Sequence, residues 1–179
     1  MTPRLRTLSL VALLAASTPS VAMATTVVPV TTEELTIRSD DVVVATVRAS
    51  SSRWEHGLIV TDHELVVDAT VRGRAVVGAT MYVRTPGGVV GRIAQSVPDA
   101  PALVVGQSYV FFLSGGVGPV RFLAHLTAAV VPVHPTASGE LVAQPTSALL
   151  VTNSHGAAVA EASPVALPRL LDLVRAVRR

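Results

Sequence analysis

The chain has 179 residues, and its 14 basic residues are all arginine, set against 12 acids. With no lysine and no cysteine, it cannot form a Walker-type phosphate loop, a Schiff-base or Ser–Lys enzyme, a cysteine zinc site or a disulfide. A chain without such staples must be held by its apolar core alone.

The first stretch has the order of a secretory signal peptide. Arg4 and Arg6 precede the apolar run Leu8 to Ala16, and Ala22-Met23-Ala24 ends it with small residues. The expected leader is residues 1–24, cleaved after Ala24 to leave Thr25 first, and the expected location is secreted or periplasmic. Without Arg4 and Arg6 the count falls from 14 to 12 arginines against 12 acids. A neutral mature chain lacks the electrostatic footprint of a nucleic-acid binder, so no nucleic acid is expected. No later stretch reaches the roughly 20 apolar residues of a bilayer span, so none is expected.

Thr31-Thr32-Glu33-Glu34-Leu35 joins a capping hydroxyl to acids and predicts one short helix to about Arg38. The β-branched run Val42 to Ala49 predicts a buried strand, and Ser50 to Gly57 a loop. Leu58 to Val71 predicts the longest strand. Its alternation puts Ile59, Thr61, His63, Leu65 and Val67 on a core face and Asp62, Glu64 and Asp68 on the other.

A third strand is expected over Ala79 to Thr85, a fourth over Gln107 to Ser114 and a fifth over Val120 to Val131. A hairpin follows, Val130 to Val133 with Glu140 to Ala143. Several strands with Gly/Pro turns make a small all-β barrel or sandwich, assigned to residues 25–143. Residues 144–163 are expected to be a loose linker. In 164–179, Leu167, Leu170, Leu171, Val174 and Val177 recur at helical spacing, with Pro168 in the first turn. This predicts a C-terminal amphipathic helix.

Few motifs here carry chemistry. Gly87-Gly88-x-x-Gly91 leads into an apolar, β-branched segment and not a helix, so it reads as a hairpin and not an anion cradle. Gly115-Gly116-x-Gly118 reads the same way. His56 and His63 are seven apart across a loop and a strand, and metal motifs use closer pairs. No metal site is expected, and His63 reads as a core or barrel-mouth histidine. Asp62, Glu64 and Asp68 read as a solvated face paired with arginines. No serine sits in a Gly-x-Ser-x-Gly elbow, and Asn153-Ser154-His155-Gly156 reads as a surface loop.

Three stretches together carry a resemblance: "SDDVVVATV", "RWEHGLIVTDHELVVDATVRG" and "VVGQSYVFFLSGG". They resemble the netrin-like OB barrel of the tissue inhibitors of metalloproteinases over roughly residues 35 to 130. Uncharacterised exported bacterial proteins of that pattern look closer still. The resemblance implies an OB-like five-stranded antiparallel barrel with a short N-terminal helix and a C-terminal helix. In that family an N-terminal cysteine chelates the protease zinc, and this chain has none.

In an OB barrel the loop between the first two strands flanks the usual ligand face. That makes Arg53 and Trp54 the candidate ligand-binding residues, since a Trp beside an Arg can stack on a sugar, peptide or base. The competing and expected placement folds Trp54 over the open end of the barrel. The function that follows is an exported, non-enzymatic binding module for a protein, peptide or glycan, without a cofactor. A protease inhibitor of the tissue-inhibitor type and a hydrolase are the alternatives. The second lacks a convergent acid, base and nucleophile.

Overall fold

The computed structural model describes residues 29–117, 119–146, 149–152, 158–160 and 164–178. The expected leader and the Asn153-Ser154-His155-Gly156 loop lie outside them. The chain is mostly strand with two helices. In order come β1 (Val30–Thr31), α1 (Thr32–Arg38), β2 (Asp41–Glu55), β3 (Leu58–Arg72), β4 (Thr80–Pro86), β5 (Gly88–Val90), β6 (Ile93–Gln95) and β7 (Ser108–Val117). There follow β8 (Val120–Leu123), a 3-10 turn (Thr127–Ala129), β9 (Val130–Pro135), β10 (Leu141–Ala143), β11 (Leu149–Thr152), β12 (Ala158–Ala160), β13 (Val165–Ala166) and α2 (Leu167–Ala176).

Both helices start as their residue types dictate. Thr31 caps α1 by accepting the Glu34 N–H at 3.1 Å, and Ser39 closes it by donating to the Leu35 carbonyl at 2.7 Å. Pro168 sits in the first turn of α2, where its missing N–H costs nothing. Leu167, Leu170 and Val174 of α2 are buried, as the helical spacing requires.

The largest sheet runs β13-β10-β9-β7-β2-β3-β4-β8, and β8 pairs again with β7. The pairings β7–β2–β3–β4–β8–β7 thus form a cycle of five, although the strands are not disposed evenly round one axis. An all-antiparallel arrangement was expected, and a cycle of five cannot provide it. Strand direction must reverse at every antiparallel step, and an odd number of reversals does not return to the start. The β4–β8 step is parallel, Tyr82 beside Val120 and Arg84 beside Phe122.

Val42 to Ala49 lies inside β2 as expected, but the two faces of β2 serve two cores. Val43, Ala45 and Val47 pack with Leu65, Val67, Val83, Phe111 and Leu113. Val42 and Val44 pack on the other side with Phe112, Leu35, Leu149, Leu170 and Val174. β7 is shared in the same way. This second core draws on 144–163, expected to be a loose linker: β11 pairs in parallel with β1, and its Leu149 and Val151 are fully buried.

Two further expectations change. The expected fifth strand, Val120 to Val131, lies along one edge of β7 but is interrupted. β8 pairs with Leu113–Val117, the chain leaves through the 3-10 turn, and β9 resumes against Ser108–Phe111. The break lets β8 turn to β4 while β9 turns to β10. The expected loop Ser50 to Gly57 is instead mostly strand, because β2 continues to Glu55 and only His56-Gly57 turn. Both have positive φ, 50° and 82°, which matches the twist of a two-residue hairpin. Among the described residues no helix is long and apolar enough to cross a membrane.

Candidate functional site

Because Ser50 to Glu55 is strand, Arg53 and Trp54 project from opposite faces of β2. The structure therefore does not bring them together as one clamp. A bulge between Val47 and Ala49 sets the alternation beyond it, so that Ser50 faces His63, Ser52 faces Thr61 and Trp54 faces Ile59.

On the Arg53 face lies an ion-pair lattice. Arg53 pairs with Asp62 and reaches Glu55 at 3.3 Å. Arg84 of β4 meets Asp62 at 2.7 Å and Glu55 at 2.9 Å. Glu64 of β3 faces Arg48 at 3.8 Å, while Asp68 accepts from Thr46 at 2.7 Å. The expected pairing with arginines thus holds for Asp62 and Glu64, and Asp68 takes a hydroxyl instead. Burial works to raise the Asp62 carboxyl, but the hydrogen bonds and charges of Arg84 and Arg53 outweigh it and hold the group below its ordinary value. Arg84 is raised in return, mainly by its hydrogen bond to Asp62. Beside the lattice is a hollow of about 250 Å³ lined by Ser51, Arg53, Asp62, Glu64 and Tyr82 among others. Arg53 is already committed to carboxylates there.

The Trp54 face is built differently. His63 is buried, as expected, and held at both ring nitrogens: Nδ1 lies 2.7 Å from Ser50 Oγ and Nε2 3.0 Å from Thr85 Oγ1. Burial pushes the imidazole below its ordinary value, against the smaller upward pull of the Asp62 charge. Ser52 Oγ lies 2.8 Å from Thr61 Oγ1, and Thr61 donates to the Gly87 carbonyl at 2.7 Å. The β5–β6 hairpin covers this polar patch, which answers the glycine stretch: Gly91-Arg92 is its turn and Gly88 presses on Ser52 and Thr61. Sequence reading missed Ser50, Thr85 and Arg84 as partners. Ser50 was read as loop, and aligning Thr85 and Arg84 with His63 and Asp62 needed the pairing register.

Trp54 itself is 48% exposed, more open than the expected placement folded over the end of a barrel. The neighbouring backbone is also open. Ile59, opposite Trp54, sends its N–H to Gln95 Oε1 at 2.6 Å and its carbonyl accepts from Gly87 N at 2.8 Å. Its polar groups point toward β4, so those of Trp54 point away from β3, as do those of Ser52 and Ser50 by alternation. β7 flanks β2 only from Asp41 to Thr46, with Val47 adding bonds to Gln107 and Gly106. Among the described residues no strand pairs with Arg48–Glu55 on that side.

Among the described residues no three of His, Asp and Glu come together to hold a metal ion. No protein-family model matches the chain, and no curated protein matches it in sequence.

Proposed function

We propose that this chain is an exported, non-enzymatic binding module that captures an extended peptide along the free edge of β2. The cycle β7–β2–β3–β4–β8 with its single parallel step supports reading the strands as an OB-like barrel, and so supports the netrin-like resemblance. One observation carries the function: the outward-facing N–H and carbonyl groups of Ser50, Ser52 and Trp54, unpaired by any strand among the described residues. Such an edge binds by strand addition, where main-chain hydrogen bonds give affinity and side chains to either face give selectivity. Trp54 is the aromatic anchor on one face, and the hollow beside Arg53 receives alternate side chains on the other. The serines and charges along the edge disfavour indiscriminate pairing.

The test is selection of a displayed random-peptide library on the protein, followed by affinity measurement with variants. Ser52→Pro removes an outward N–H without touching the β3 ladder, a position where an edge strand accepts proline. It should abolish binding, while Ser52→Ala, which loses only the hydroxyl, should retain it. Trp54→Ala should weaken binding about tenfold or more, as loss of an aromatic anchor does. Selected peptides that bind Ser52→Pro as tightly as the parent would refute strand addition.

A further inference from the structure

The other end of β2 opens into a cleft of about 570 Å³ lined by Asp40, Asp41, Arg72, Gly73, Arg74 and Arg121. Three arginines face two aspartates there, and the commitments of these groups are unequal. The carboxylates are turned to backbone donors. Asp41 Oδ1 accepts the N–H of Arg74 at 2.6 Å and of Ala75 at 3.1 Å, and Asp40 Oδ2 accepts the N–H of Gly115 at 2.8 Å. A Cβ on Gly73 would overlap Asp41 Oδ1, and φ there is +101°, so this corner needs glycine.

The guanidiniums of Arg72 and Arg74 are less neutralised. Arg72 donates to the Val177 carbonyl at 2.7 Å, a neutral acceptor at the end of α2 that leaves its charge uncompensated. Arg74 is exposed, and its guanidinium meets no carboxylate among the described residues. Arg121 Nε stands 4.0 Å from Asp41 Oδ2, at the outer limit of an ion pair. The cleft is therefore a positively biased recess whose acids are held by amides, with the planar forks of Arg72 and Arg74 turned to an oxyanion. Its volume lies within the range of small-molecule sites, while its charged lining suits a polar ligand better than an apolar one.

We infer that this cleft binds a small molecule through a carboxylate or phosphate group, held by Arg72 and Arg74 with Arg121 beside them. The site is separate from the β2 edge, since Asp41 and Ser50 of β2 stand about 30 Å apart at the rise of a strand.

The experiment is titration of the protein with inorganic phosphate, with glucuronate and with neutral glucose at constant ionic strength, followed by the arginine Nε–H resonances. Phosphate, glucuronate or both should shift the Arg72 and Arg74 signals at millimolar concentration and leave Arg53 and Arg84 in place. Glucose should shift none of them. Which anion binds more tightly tells a phosphate from a sugar acid. Arg74→Ala, at an exposed position, should weaken the better probe about tenfold, the effect of losing one charge-assisted partner. Arg72→Lys keeps the charge but not the fork, and should weaken it as well. Absence of any shift at tens of millimolar anion would overturn the inference. So would equal shifts at Arg53 and Arg84, or an affinity unchanged in Arg74→Ala. Peptide capture on the β2 edge is scored separately, so either reading can fail alone.

Discussion

Arg53 and Trp54 are neighbours in the chain and lie on opposite faces of β2, one among carboxylates and the other nearly half open to solvent. Trp54→Ala should therefore cost less than about 1 kcal/mol, as surface substitutions do. As the sole tryptophan, it should emit at long wavelength and be readily quenched by acrylamide. Protected, blue-shifted emission would show Trp54 packed over the barrel end after all.

His63 sits between Ser50 and Thr85 with its imidazole held below the ordinary 6.5. The unfolded chain then binds a proton that the folded one refuses, so stability rises with pH across this window. It is fully present above about 6.5 and declines as pH falls toward the lowered folded value. Urea denaturation from pH 7.5 to 4.5 should show this decline, and His63→Gln should flatten it. A parent profile as flat as that of His63→Gln would contradict the assignment.

Arg84 joins β4 to β2 and β3 through Asp62 and Glu55, all partly buried. Removing it strips two carboxylates of a hydrogen-bonded partner, and Arg84→Ala should cost about 1–3 kcal/mol. The Arg38–Glu34 pair on α1 is largely exposed, and Arg38→Ala should cost no more than about 0.5 kcal/mol. The Asp62 carboxyl should also titrate at higher pH in Arg84→Ala, as carbon-detected NMR can read. Equal costs for the two variants would remove the lattice from the stability of this region.

Gly88 has φ +136°, and a Cβ there would collide with Thr61 and Ser52 hydroxyls. Gly91 also has positive φ, +61°, but faces open space. Gly88→Ala should release the β5–β6 hairpin and lower Tm well beyond Gly91→Ala, whose cost of about 1 kcal/mol is conformational alone. Faster amide exchange at Val89 to Gln95 in Gly88→Ala would report the release. Similar Tm losses in the two would argue against close packing at Gly88.

Leu149 is fully buried in a stretch that composition presents as a linker. Leu149→Ala should cost about 2–5 kcal/mol, the range for buried leucines, and match Leu65→Ala in the first core. A change close to that of an exposed residue such as Glu33→Ala would mean that β11 is only loosely docked.

Strand alternation made the inner face of β3 legible from Ile59 to Val67, because every second residue is apolar apart from Thr61 and His63. Helical spacing did the same for α2, and the capping hydroxyl for α1. The second core was not legible, since Leu149 and Val151 are an isolated pair whose partner, β1, lies far away in sequence. The serines from Ser50 to Ser52 read as a loop by composition, and only their pairing with His63 to Thr61 keeps them extended. Arg53 and Trp54 were found by type, while their separation onto two faces follows from that unexpected strand. Arg84 could not be matched to Asp62 without the β3–β4 register.

The sharing of β2 between two cores has a consequence for how the chain reaches its fold. β2 pairs with residues up to Leu113, and β1 must wait for Leu149. The contacts that complete the two cores therefore close long loops, and closure entropy is lost before burial repays it. Folding on this topology belongs to the slow, millisecond-to-second class of non-local β proteins. Translation or refolding stopped at Ala143 would leave Val42, Val44 and Phe112 without Leu149 or α2 above them, a fragment with an uncovered apolar face. The last fifth of the chain acts as the closing step for β2.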